Sequence, residues 1–204
     1  MNHARMNIVF DIGDVLVRWN LRRAFAGAFD GPEAIDAWLE EIGFHDWNRA
    51  QDGGRSWAEG IAELIARHGE RARPAALYPA RHRETIIEPI AGAWALLDRL
   101  AGRGHPLYAI TNWSAETWPD ALRLHPRLGE VFRDIVVSGR ERLLKPEPAI
   151  YRLLLARNGL EAAECLFIDD NPANVDGARG VGMDAVRFTG PAALEDALAA
   201  RGLL

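Results

Sequence analysis

Five short apolar runs are spaced along this chain, and each gives way abruptly to polar residues: Ile8–Phe10, Leu107–Ile110, Ile135–Val137, Leu166–Ile168 and Ala185–Phe188. Runs this short and this uniformly apolar suit strands covered on both faces, as in a parallel sheet. Helical patterns follow at Ala91–Arg103, Thr117–Leu124, Ala149–Asn158, Asn174–Gly180 and Ala192–Arg201. Strands alternating with helices of this length predict βαβ units, with helices packed on both sides of the sheet.

The stretch from Leu21 to Glu88 breaks this alternation. It is aromatic and helical in pattern (Phe25, Phe29, Trp38, Phe44, Trp47, Trp57, Tyr78), is punctuated by Pro32 and Gly53-Gly54, and ends at Pro89. It lies where a doubly wound fold needs only a short crossover, so it reads as an inserted helical cap whose aromatics form its own core. The expected architecture is α/β: a doubly wound, five-stranded, Rossmann-like parallel sheet built from residues 1–20 and 89–204, with a helical cap over residues 21–88.

Ligand sites in open α/β sheets lie beyond the carboxyl ends of the strands, and here those ends collect charge. Asp11 follows the first run, Thr111 and Asn112 the second, Ser138 and then Lys145 the third, and Asp169, Asp170 and Asn171 the fourth. Lys145 is the single lysine among 24 lysines and arginines, so this position calls for a compact ammonium where arginine is otherwise the default. The set supports phosphoryl transfer. Asp11 can attack phosphorus as a carboxylate nucleophile. Asp11 and Asp170 can share Mg²⁺, which favours one or two carboxylates plus substrate oxygens, with a backbone carbonyl near Gly13 completing the protein's share. Thr111 and the amides after it, Asn112 first, can bind phosphate oxygens, and Lys145 can neutralise nucleophile and phosphate together. Alone, Asp169-Asp170 would read as a cap for the helix that follows; Asn174 and Asp176, in its first turn, read as helix stabilisers.

"VFDIGDVLV", "AITNWS", "LLKPEPAIY" and "LFIDDNPANVDGA" resemble, in order and spacing, the four motifs of the haloacid dehalogenase superfamily, and the cap resembles its helical C1 cap. The nearest likeness is to sugar-phosphate phosphatases of the alpha-D-glucose-1-phosphate phosphatase type. The resemblance implies a phospho-aspartyl intermediate on Asp11; Mg²⁺ held by Asp11, the Gly13 carbonyl and Asp170, with Asp169 in support; and phosphate binding by Thr111 and Lys145.

One position departs from the pattern. Most phosphatases of the superfamily carry an aspartate two residues after the nucleophile, as general acid and base, and this chain has Gly13 there. Losing such a group costs a factor of roughly 10²–10⁴, and less for a good leaving group such as the anomeric oxygen of a sugar 1-phosphate. Asp14 either substitutes for the missing acid or stabilises the turn through its side chain. A halide needs no acid, so a metal-independent 2-haloacid dehalogenase is the rival reading; against it, adjacent carboxylates without a cation raise each other's pKa. A catalytically weak regulatory member of the family is a further alternative.

The remaining features narrow the function class. A net charge of −5 argues against a nucleic-acid partner. No run of about 18 apolar residues predicts a membrane span, and the opening residues lack an apolar signal core. The one cysteine, Cys165, permits no internal disulfide, which fits the cytoplasm. The six histidines, His3 among them, form no close pair with zinc-ligand spacing. The expected partner is a small phosphorylated metabolite, and the patterning does not distinguish monomer from dimer. Within the cap, "HDWNRAQDGGRSW" is the most polar piece. It offers Trp47, Gln51, Asp52 and Arg55 as specificity residues around a glycine turn facing the site.

Overall fold

The computed structural model describes residues 5–204; His3 and the first residues of the expected core segment lie outside this range. Strands β1 (Asn7–Phe10), β2 (Leu107–Thr111), β3 (Ile135–Val137), β4 (Cys165–Asp169) and β5 (Asp184–Arg187) form one parallel sheet in the order β3-β2-β1-β4-β5. The chain moves outward from β1 through β2 to β3, then returns to the other side of β1 for β4. The order therefore reverses between β1 and β4, and the crevice beyond their ends is where such sheets take ligands. Phe10 pairs with Ala109 on one side and Ile168 on the other, which brings Asp11, Thr111 and Asp169 to one edge.

Strand periodicity sorts the core into two layers. Ile8 and Phe10 pack with Trp94, Leu97, Leu194 and Leu198, from helices Ala91–Gly102 and Pro191–Ala200. Val9 faces the other way, into a cluster with Ile150, Tyr151, Leu154 and Val175, from helices Pro148–Asn158 and Pro172–Gly180. Three of these helices begin before their apolar pattern does, at Pro148, Pro172 and Pro191. Proline has no N–H to lose at a first helical position, and its fixed φ suits the turn. Strand β5 sits one residue earlier than the apolar run suggests.

Between β1 and β2 the chain forms a helical insertion: Pro32–Glu41, Phe44–Asp52, Trp57–His68 and Leu77–Thr85, with 3₁₀ turns at Leu21–Phe25 and Gly69–Ala76. Phe25, Trp38, Phe44, Trp47, Trp57 and Tyr78 fill its interior. Phe25 meets Trp38 edge-on at 4.9 Å and Phe44 meets Tyr78 at 5.1 Å, contacts worth about 0.5–1.5 kcal/mol each beyond the area they bury. Ser56 and Glu59 form a capping box on the third helix. The entering and leaving chains run side by side, tied by Arg18 N–H to the Glu88 carbonyl and Asn20 N–H to the Thr85 carbonyl, both 2.8 Å. No helix among the described residues is long and apolar enough to cross a membrane.

Candidate active site

Asp11 continues β1 by one residue, its N–H donating to the Ile168 carbonyl at 2.8 Å. Its carboxylate accepts the Ile12 N–H at 2.7 Å and lies 2.8 Å from Lys145 Nζ. The same ammonium donates to Asp169 Oδ2 at 2.7 Å. Both partners are deeply buried, Lys145 with 1% of its side chain exposed and Asp169 with none. Asp169 is saturated: besides Lys145 it accepts the Asn171 N–H at 2.8 Å and the Asn174 side-chain amide at 3.0 and 3.1 Å. Asp170, half-buried, completes a group of three carboxylates offering oxygens within 4.8 Å of one another.

One ammonium faces three acids, and the electrostatics follow from that count. Burial opposes the charge on Lys145, but Asp11 and Asp169 outweigh it and hold the proton above the usual lysine range. Burial pushes the Asp11 carboxyl well above its ordinary value; Lys145 pulls it back, and Asp169 and Asp170 push it up again. Asp170 is raised by burial first, then by Asp169 and Asp14. Crowded oxygen donors carrying this excess charge fit a hard divalent cation, with Asp11 and Asp170 the donors not already saturated.

The neighbours hold this centre in place. The Asn112 side chain clasps the backbone of Lys145, accepting its N–H at 2.9 Å and donating to its carbonyl at 3.1 Å. Asn112 was expected to contact phosphate, yet its side-chain amide is occupied in positioning the lysine. Thr111, almost fully buried, ends β2 at the same edge. Asp14 takes a left-handed backbone, φ 52°, and its carboxylate accepts the Trp19 N–H at 2.9 Å. The acid after the glycine thus supports the turn. A Cβ added at Gly13 would meet nothing within 4 Å.

Above the strand ends lies a cavity of about 250 Å³. Asp11, Gly13, Thr111, Lys145 and Asp170 form its floor, and the helical insertion supplies a roof of Asn48, Asp52, Trp57, Tyr78 and His82. The roof is fastened to the core. Ser138 Oγ donates to the Asp52 carbonyl at 2.6 Å while accepting the Trp113 N–H at 2.8 Å, and Arg49 donates to the Lys145 carbonyl at 3.0 Å. Among the described residues, the buried side-chain polar atoms without a partner are Asn48 Oδ1, Trp57 Nε1, His82 Nδ1 and Trp113 Nε1. All four belong to residues lining this cavity. Each such atom costs about 1–3 kcal/mol when unpaired, so unmet hydrogen-bonding capacity is concentrated in the walls of this one cavity.

Of the specificity residues expected from sequence, Asp52 alone lines the cavity. Trp47 and Gln51 turn into the insertion's interior, where Trp47 Nε1 donates to the Gly60 carbonyl and Gln51 Nε2 to the Trp47 carbonyl, both at 2.7 Å. Arg55 pairs with Glu63 and Gln51. The glycine turn packs on the core, Gly53 against Leu144 and Gly54 against Arg142. Sequence reasoning missed Asn48, Trp57, Tyr78 and His82. The signal for Asn48 was its four-residue spacing from Asp52, which puts both along one flank of the Phe44–Trp47–Gln51 stripe.

Comparison with known proteins agrees with this architecture. A family model described as haloacid dehalogenase-like hydrolase matches residues 6–182. The chain belongs to the haloacid dehalogenase-like hydrolases. It is therefore a hydrolase, and its relatives include the sesquiterpene phosphatase astK of Aspergillus oryzae, 27% identical over 89% of this chain and 88% of that one. The phosphoglycolate phosphatase of Rhodospirillum rubrum is 37% identical over 47% of this chain, which spans only 39% of that protein. Among solved structures, a HAD family enzyme of Bacteroides thetaiotaomicron in a magnesium complex superposes with a TM-score of 0.70 at 19% identity, covering 92% of this chain and 94% of that one.

Proposed function

We propose that this hydrolase is a phosphatase that cleaves a small phosphate monoester through Asp11. The observation that carries this reading is the Lys145 ammonium held between Asp11 and Asp169, with Asp170 in the same carboxylate group. Asp11 is the nucleophile: its carboxylate forms a bond to phosphorus as the bond to the leaving oxygen breaks, and water then releases phosphate from Asp11. Lys145 screens the repulsion between an anionic nucleophile and an anionic substrate, while Thr111 contacts phosphate oxygens. Asp11, the Gly13 carbonyl and Asp170 would hold Mg²⁺, which when bound neutralises charge on the transferring group. Asp169 orients the lysine and Asn112 fixes its backbone.

In this reading residues 21–88 act as a cap whose docked face encloses the leaving group. The Trp57 indole, the His82 imidazole and the Asn48 amide of that face, with the Trp113 indole from the core opposite, give the cavity a polar lining, which supports a sugar phosphate over an apolar ester. The dehalogenase alternative rests on fold alone: L-2-haloacid dehalogenase of Xanthobacter autotrophicus superposes with a TM-score of 0.64 at 22% identity, covering 96% of this chain and 83% of that one. The excess of carboxylates at the strand ends favours the phosphatase. A panel of phosphate esters assayed with Mg²⁺ and with chelator, beside 2-chloropropionate, tests the choice. Mg²⁺-dependent release of phosphate, abolished in Asp11→Asn, supports the reading; chloride release in chelator refutes it.

A further inference from the structure

We infer that Asp52, carried by the cap, is the proton donor and acceptor that the glycine at position 13 leaves out. The inference rests on the phosphatase reading above and assigns a role within it. In-line displacement places the leaving oxygen on the far side of phosphorus from the attacking carboxylate. With Asp11 in the floor of the cavity, that side faces the roof.

Among the described residues, the roof offers three ionisable side chains: Asp52, Tyr78 and His82. Tyr78 accepts the Trp19 indole N–H at 3.0 Å, and burial holds its phenol proton far above the range of a working acid. Burial pulls His82 down to about 4, so at neutral pH it is uncharged and without an acidic proton. Asp52 is different. Burial lifts its carboxyl to about 7, against the opposing influence of the Ser114 backbone and the Arg49 charge. An acid that must be protonated in one step and ionised in the next works best with a pKa near the operating pH.

Its placement is built. Asp52 is the last residue of helix Phe44–Asp52, where the helix carbonyls disfavour a negative charge. Its own carbonyl is fixed by Ser138, which also fixes Trp113, two residues beyond Thr111. Asn48 donates to Asp52 Oδ2 at 3.0 Å. Arg49 on the same helix, Tyr78 and His82 on helix Leu77–Thr85, and Asp11, Asp14, Lys145 and Asp170 across the cavity are the titratable and charged groups around it.

The protons balance over two steps. As Asp11 bonds to phosphorus, the P–O bond to the leaving group breaks, its electron pair stays on that oxygen, and the Asp52 carboxyl gives up its proton to form the alcohol. The Asp52 carboxylate then takes a proton from water as the water oxygen bonds to phosphorus. The Asp11–phosphorus bond breaks, its pair returns to Asp11, and phosphate leaves with Asp52 protonated again.

The test compares glycerol 1-phosphate, whose alkoxide needs a proton, with acetyl phosphate, whose acetate does not. The near-isosteric Asp52→Asn variant is assayed with Mg²⁺ beside wild type, Asp11→Asn and Asp14→Asn. The expected result is a fall of about 100-fold in the ratio of kcat/KM between the two esters in Asp52→Asn, with the ratio kept in Asp14→Asn. An unchanged ratio in Asp52→Asn, or a fall in Asp14→Asn in its place, overturns the assignment of Asp52. Wild type inert on both esters overturns the phosphatase reading itself. Should Asp52→Asn not fold, the wild-type pH profile decides: kcat/KM for glycerol 1-phosphate should decline above pH about 7 while that for acetyl phosphate does not, and parallel profiles overturn the inference.

Discussion

Replacing Lys145 with methionine removes one ammonium and leaves three carboxylates around a space of similar shape. Both ion pairs of Lys145 are buried, at 2.8 Å to Asp11 and 2.7 Å to Asp169, and breaking a buried pair from one side costs about 3–5 kcal/mol. For a chain of this size each kcal/mol lowers Tm by about 2–4 °C, so a fall of about 6–20 °C is expected in chelator at pH 8. The loss should depend on pH, and the sign is fixed. Asp11 and Asp170 already lie above the ordinary carboxylate range, and removing the cation raises Asp11 further. A group raised in the folded state contributes stability that is full below its unfolded pKa and lost as pH climbs through the folded one. The gap between variant and wild type should therefore be small near pH 5 and widen towards pH 8. Thermal unfolding at both values, with refolding checked, makes the measurement. A gap equal at pH 5 and pH 8, or below about 1 kcal/mol at pH 8, would refute the electrostatic account of the centre.

Three further outcomes are expected. Mg²⁺ at about 100 times its Kd at pH 8 should stabilise the wild type there by about 2.7 kcal/mol, the same concentration should stabilise it less at pH 5, and the shift should largely disappear in Asp170→Asn while that variant stays folded in chelator. Gly13→Asp has room for its side chain; in the Asp52→Asn background it should restore kcat/KM on glycerol 1-phosphate by about tenfold or more, read by steady-state kinetics. Trp57→Phe, which removes one unpartnered indole N–H from the roof, should raise KM for hydroxylated esters more than it lowers kcat.

The sheet was legible because its strands are buried on both faces, so unbroken apolar runs mark them and the next residue marks the site edge. The late placement of three helix starts has a local cause: Pro148, Pro172 and Pro191 carry no apolar periodicity yet open the helix. The roof of the cavity was harder to read. Trp47, Gln51 and Asp52 are neighbours in one helix, and only the packing of Phe44 and Trp47 into the interior decides that Asn48 and Asp52 face the cavity. Tyr78 and His82 reach the site from a helix far along the chain, which meets the core where His82 packs edge-on against Trp113. Asn112 shows the same limit: strand-end position marks it as a site residue, but its grip on the Lys145 backbone is a tertiary fact.

The central claim is that phosphate passes through Asp11. Acid quench of the protein during turnover of a phosphate ester with Mg²⁺, followed by mass spectrometry of the peptide containing Asp11, tests it directly. The account predicts one phosphoryl group on Asp11, formed at a rate sufficient for turnover and absent from Asp11→Asn. Phosphate release at the full rate with Asp11 unmodified throughout, or undiminished in Asp11→Asn, would contradict it.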